Sequence, residues 1–237
     1  MLQVCLNGAR TRAECPHLPV TPQELAAAAR AAVAAGARDI HLHPRNADGE
    51  DTLEPAAVAA ALTAVRAAAP GVPVGVTTGA WATPDPAERA SQVCSWTVLP
   101  DHASVNWHED GAATVAATLL DRGIGIEAGI YSGTQAVRRF LGWTDSHRVL
   151  RVLAEITDTD PRTAPRTAAG LLGELRPAAE SPVLLHGGDE AAWAVLEMAA
   201  SLRLDMRIGL EDVLQLPDGT TAETNADLVR AARGIIP

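Results

Sequence analysis

Eight short, strand-like apolar runs alternate with alanine-rich helical stretches along the whole chain. The runs cover residues 2–7, 38–43, 73–78, 102–106, 123–129, 148–156, 182–186 and 205–211. Helix starts are expected at Thr21, Glu54, Asp85, about Asp110, Ser132, Pro161 or Thr163, Asp189 and Thr224. The first is the clearest: Thr21-Pro22-Gln23-Glu24 combines an N-cap, a proline at the first helical position and a capping-box acid. Strand–helix alternation predicts parallel strands joined by right-handed crossovers. Eight repeats predict closure into a (β/α)8 TIM barrel, and 237 residues suit one such domain over 1–237. A doubly wound open sheet is the alternative fold. Against it, no G-x-G-x-x-G turn follows the first run.

Hydrophobic residues make up 47% of the chain and aromatics only 3%, so a large core of aliphatic and alanine packing is expected. The net charge is −10, with 29 acids against 19 bases and no basic run, which excludes a nucleic-acid footprint. No apolar stretch reaches the roughly 18 residues of a membrane span. No basic, apolar and small-residue leader pattern follows Met1, so the expected location is cytoplasmic. Cys5, Cys15 and Cys94 form no CxxC pair and predict neither a disulfide framework nor a thiolate metal site.

Function in a barrel of this kind gathers at the C-terminal strand ends. The ends of these runs carry Asn7, His41 and His43, Thr77, Asn106, Glu127, Glu155, His186, and Arg207 through Asp212. His41 and His43, two apart on one strand, point the same way and form a two-nitrogen clamp. Glu211 ends the eighth run. In a closed barrel the eighth and second strands both flank the first, so Glu211 can complete a His2Glu metal set with an open position. Zinc is the first expectation; manganese, iron and cobalt are alternatives.

Arg207, four residues before Glu211 on the same run, is expected one layer deeper. There it holds Asp212 or a substrate carboxylate; a structural ion pair is the alternative. Asp212 is a candidate general base or an outer support of the metal. Asn7 and Asn106 are candidate donors to a substrate oxygen, or turn residues. Thr77 is a candidate donor to an oxyanion, Glu127 a pocket residue, and His186 a proton shuttle or binding residue. Trp81 and Trp107 follow strand ends and are candidate pocket walls. His102 carries no spacing that argues for ligation.

The sequence resembles the β-keto acid cleavage enzymes, which include the 3-keto-5-aminohexanoate cleavage enzymes. The segments that carry the resemblance are Asn7-Gly8-Ala9, Leu18-Pro19-Val20-Thr21-Pro22, His41-Leu42-His43-Pro44-Arg45 and Thr77-Thr78-Gly79. Ala103-Ser104-Val105-Asn106, Arg207-Ile208-Gly209-Leu210-Glu211-Asp212 and Leu216-Pro217-Asp218-Gly219 follow in the family order. The resemblance implies a TIM barrel with Zn2+ on His41, His43 and Glu211, an Arg207–Asp212 base, and substrate contact at Thr77. It implies a reaction in which a β-keto acid and acetyl-CoA give acetoacetate and a new acyl-CoA, in a homo-oligomer that is usually a tetramer. Three features depart from the family pattern. Arg10 stands where an acid is common, with Glu14 a turn away; both are candidate substrate contacts. The sixth run ends in Ala154-Glu155-Ile156, and His186-Gly187-Gly188-Asp189 replaces a Gly-Arg stretch. These departures leave open a CoA-independent hydrolase or a retro-aldol or retro-Claisen lyase acting on a small keto acid.

Overall fold

The computed structural model describes residues 1–176 and 180–236; residues 177–179 and Pro237 of the span expected as one domain lie outside the described part. The first half runs β1 (Leu2–Cys5), α1 (Pro22–Ala35), β2 (Asp39–Leu42), α2 (Pro55–Ala68), β3 (Val74–Thr77), α3 (Pro86–Ser95), β4 (His102–Asn106) and α4 (Ala112–Asp121). The second runs β5 (Gly125–Tyr131), α5 (Ala136–Leu141), β6 (Arg151–Ile156), α6 (Ala164–Glu174), β7 (Val183–Gly187), α7 (Ala192–Ser201), β8 (Asp205–Ile208) and α8 (Asn225–Ile235). The strands close in sequence order into one barrel, and every pairing is parallel, including β1 with β8. The open-sheet alternative is thereby removed. Among the described residues no helix is long and apolar enough to cross a membrane.

Local chemistry accounts for the elements. The Thr21 hydroxyl accepts from Glu24 N, and the Glu24 carboxylate accepts from Thr21 N at 2.9 Å, so α1 starts where its capping box directs. Leu25, Ala29 and Ala32 put one apolar stripe of α1 into the core. Small residues let α1 lie close against α2, whose buried face is Val58, Ala61, Leu62 and Val65. Between the strands and the helices the packing is aliphatic, as expected, with Trp96 sealing one side and donating Nε1–H to Leu53 O at 2.8 Å.

Several strand limits differ from expectation, and those of β5, β2 and β8 bear directly on the candidate site. β5 runs on to Tyr131, so Glu127 lies mid-strand and not at its end. β2 stops at Leu42, leaving His43 just beyond the ladder. β8 stops at Ile208, so Glu211 and Asp212 stand in the following turn and not on the strand. The turn is closed by Asp212 N and Val213 N, which both donate to Gly209 O. It reaches β1 through Glu211 N, 3.4 Å from Cys5 O.

Candidate active site and metal centre

The β2 end supplies two imidazoles. His41 and His43 are buried, their ring centroids 5.5 Å apart and their planes 77° to one another. Asn7 holds the second one: its amide donates to His43 O and accepts from His43 N, both at 2.9 Å. Asn7 therefore ties the β1 loop to the ligand backbone. One N–H of its amide is committed to this contact. His43 Nδ1 lies 3.2 Å from Asp51 Oδ1, so Nε2 is the nitrogen left to face Glu211 Oε1, 3.7 Å away. Trp81 stacks on the same ring at 5.7 Å and 12°, half-exposed at the mouth. Trp107, by contrast, is buried against Phe140 and Trp143 and walls nothing.

Glu211 reaches this pair because the β1 loop makes room for it. Gly8 has φ +58°, and a Cβ there would fall 2.2 Å from Glu211 Cγ. A glycine meets both demands at once.

His41, His43 and Glu211 each offer one donor atom within 4.8 Å of the others. The residues fit a divalent cation on three counts. Two nitrogens and one carboxylate oxygen are the donors of a His2Glu site. The second Glu211 oxygen is buried with no hydrogen-bond partner among the described residues, an arrangement that costs free energy unless a cation or donor meets it. Asp51 provides the carboxylate behind a histidine ligand that such sites use to set the tautomer. Electrostatics agree. Burial opposes ionisation of Glu211, yet Arg207 and His43 hold its carboxyl well below the usual range. Burial likewise opposes protonation of His43, but Glu211 and Asp51 raise it to about 9. Without a metal, a protonated imidazole supplies the positive charge that the acids demand.

Beside the triad, Arg207 Nε donates to Asp212 Oδ1 at 3.0 Å, and Nη2 lies 2.9 Å from the same oxygen and 2.5 Å from Glu211 Oε1. One guanidinium thus orients both acids. Asp212 Oδ2 is buried without a partner among the described residues. A carboxylate held by one oxygen with the other free has the form of a positioned base. His186, 2% exposed, lies between Asp212 (Nδ1 to Oδ1, 3.6 Å) and Glu155 (Nε2 to Oε2, 3.4 Å). A cavity of about 400 Å³ over the triad is walled by Arg10, Glu14, Trp81, Glu155, His186 and Arg207, among others. Arg10 pairs with Asp189 at 2.6 Å and donates from Nε to Glu211 O at 3.1 Å. Glu14, 4.0 Å from Arg10, accepts from its own loop at Thr11 N.

Other expected contacts lie elsewhere. Asn106 is buried at the end of β4, and one N–H of its amide donates to Glu109 in the following loop at 2.9 Å. Thr77 is buried; its hydroxyl oxygen accepts from Gly79 N at 3.1 Å and its proton is left to donate. Glu127 is fully buried under His41, with Oε2 3.7 Å from His41 Nδ1, and touches no open cavity. It accepts from Arg151 Nε at 2.7 Å and Gln3 Nε2 at 2.8 Å, and His102 Nδ1 lies 3.2 Å away. Arg151 also reaches Asp39 at 2.8 Å, and His102 Nε2 is 3.0 Å from Asp39.

This charged layer inside the barrel was not foreseen from apolar strand bodies. The available signal was the period of two, which puts Asp39 on the face of His41. Burial opposes charging His102, but Glu127 and Asp39 raise it to about 10. Two cations, Arg151 and His102, therefore balance two anions. Asp39, His102 and Glu127 have metal-like spacing, but the guanidinium already fills the role of a cation.

A family model for BKACE, beta-keto acid cleavage enzyme, matches residues 1–237. Over 80 residues the chain is 36% identical to the 3-oxoadipate:acetyl-CoA acetyltransferase of Cupriavidus necator, a match spanning 33% of this chain and 28% of that protein. Among solved structures, ObcA in ternary complex with a C4-CoA adduct and oxalate superposes with a TM-score of 0.71 at 18% identity, over 92% of this chain and 63% of that one. A type I 3-dehydroquinate dehydratase from Clostridium difficile gives a TM-score of 0.67 at 10% identity, over 99% and 90%. At such identities these two structures show the fold, a (β/α)8 barrel. The chain spans less than a third of the curated relative and less than two-thirds of ObcA.

Proposed function

The chain belongs to the beta-keto acid cleavage enzyme family, and on that premise we propose that it condenses a β-keto acid with acetyl-CoA to give acetoacetate and a new acyl-CoA. The observation that carries the reading is the clamped Arg207–Asp212 pair set against three convergent ligand atoms, a combination that a purely structural ion network does not need. The acetyltransferase name of the Cupriavidus necator relative supports acetyl-CoA as the co-substrate.

His41, His43 and Glu211 would hold the metal, with zinc favoured by the nitrogen-rich donor set. When bound, the ion supplies Lewis acidity toward the keto oxygen. The free oxygen of Asp212 takes the proton from the carbon between the keto and carboxylate groups. Arg207 keeps that carboxylate in place by its double contact. Thr77 donates its hydroxyl proton to a substrate oxygen. Arg10 and Glu14, side by side on the wall, contact the distal end of the substrate. His186 closes the far side. Half-buried Trp81 covers His43 and limits water at the mouth.

A panel of β-keto acids assayed with acetyl-CoA tests the reading. A new acyl-CoA with an equal amount of acetoacetate is expected for at least one member, from a species that light scattering shows to be a homo-oligomer, as a tetramer of 24.6 kDa chains. A panel that yields no new acyl-CoA overturns the activity, and a 24.6 kDa monomer overturns the assembly.

Metal uptake should depend on pH with a definite sign. A metal takes a neutral imidazole, whereas His43 without metal is protonated up to about pH 9. Binding near neutral pH therefore expels a proton. The apparent affinity rises about tenfold per pH unit and levels off above pH 9. Calorimetry at pH 7.5 in buffers of different ionisation enthalpy reads the proton directly. A buffer-independent heat would show that His43 is already neutral.

A further inference from the structure

Beside the Arg207–Asp212 pair, on the wall of the same cavity, lies a second acid–base pair to which the transfer reaction assigns no proton. His186 is 98% buried by its 2% exposure, yet neither ring nitrogen has a hydrogen-bond partner among the described residues. Its Nε2 faces Glu155 Oε2 at 3.4 Å, and the Glu155 side chain, 23% exposed, opens into the same 400 Å³ cavity as Glu211 and Asp212. A buried imidazole aimed at a half-open carboxylate is costly as mere packing. Glu155 and Asp212 on either side offset burial and the repulsion of Arg207 and raise His186 toward its protonated form.

The approach to the cavity is also distinctive. Arg10 and Asp189 join it to an outer groove of about 760 Å³, where Asp189, Glu190 and Glu197 set three acids against one guanidinium. Such an acid-rich wall disfavours a phosphate-bearing polyanion from that side.

We propose that Glu155 and His186 give this protein a second activity, hydrolysis of the β-keto acid by water in the absence of a thioester. Glu155 takes one proton from a water whose oxygen bonds to the keto carbon. The bond from that carbon to the methylene then breaks, and its electron pair takes the proton of the His186 imidazolium. The balance is R–CO–CH2–COO⁻ + H2O → R–COO⁻ + CH3–COO⁻ + H⁺. Glu155 returns its proton to His186 across the 3.4 Å gap, which resets the pair. No redox partner is needed. The inference rests on the reading of this cavity as a β-keto acid site.

The test is the metal-loaded wild-type protein with a β-keto acid, without any thioester in one arm and with acetyl-CoA in the other. Products are followed by NMR. Acetate and the matching carboxylate should appear in equal amounts in the first arm, in place of the ketone left by spontaneous decarboxylation. Glu155→Gln should lower this rate by ~10²-fold or more, the range of a lost general base, with metal content unchanged and partial recovery in Glu155→Asp. His186→Gln gives an independent variant, with the same loss expected. New acyl-CoA in the second arm but no acetate in the first would overturn the hydrolysis and leave the transferase standing. Acetate formation that is unaffected by Glu155→Gln and His186→Gln would overturn the pair. No product in either arm overturns both readings.

Discussion

Glu211→Gln is expected to purify with almost no divalent ion, and the wild type with about one per chain in a His2Glu site. The amide keeps the size of the side chain and can still accept from Arg207, so the turn after β8 survives. It removes the anion that attracts the cation and that raises His43 to about 9. His43→Ala should lose metal as well, by removing a donor atom. Asp51→Asn should lose affinity only ~10–100-fold, since Asp51 acts through the ring of His43. Elemental analysis after dialysis against a weak chelator ranks the three. Wild-type metal content in both Glu211→Gln and His43→Ala would remove the centre from this site.

Asp212→Asn is expected to behave in the opposite way and stay loaded but slow. The asparagine carbonyl can occupy the position of Oδ1 and accept from Arg207 Nε, so Arg207 remains between residues 211 and 212. What is lost is the unpartnered Oδ2 and its capacity to take a proton. A positioned acid–base group contributes ~10²–10⁴-fold, so kcat/KM should fall by that factor, about 3–5 kcal/mol of barrier. Both substitutions delete one carboxylate at neighbouring positions, so a general charge effect cannot split them into one metal-free and one metal-loaded protein. Undiminished turnover in Asp212→Asn would show that the base lies elsewhere.

The buried layer under the ligands bears on both results. Glu127 faces His41 Nδ1 at 3.7 Å and is itself held by Arg151 and Gln3. Gly75 makes space for this layer, because a Cβ there would lie 2.0 Å from the His102 ring. The face that carries His41, His43 and Glu211 therefore rests on a charge-balanced floor and not on the aliphatic packing that composition suggests.

The eight-unit barrel was legible in the chain because both of its signals are local. Strand and helix periods are written in consecutive residues, and the caps at Thr21 and Thr224 mark where helices begin. The convergence of His41, His43 and Glu211 was legible for a related reason. His41 and His43 are two residues apart, and closure in order puts the β8 end across β1 from them. The sequence could not rank strand-end polar residues by depth. Two extra residues on β5 send Glu127 below the site, and the Asn7 side chain pairs with the His43 backbone through one N–H and its oxygen. Nor could it pair Asp39 with Arg151, which lie four strands apart, or His186 with Glu155 on the neighbouring strands β7 and β6, because these partners meet only when the strands are brought into register. Local pattern determined which elements form and in what order they close; the register of the closed barrel alone decided which charges became neighbours, since hydrogen-bond and ion-pair energies depend on ångström distances that no residue spacing encodes across 112 positions.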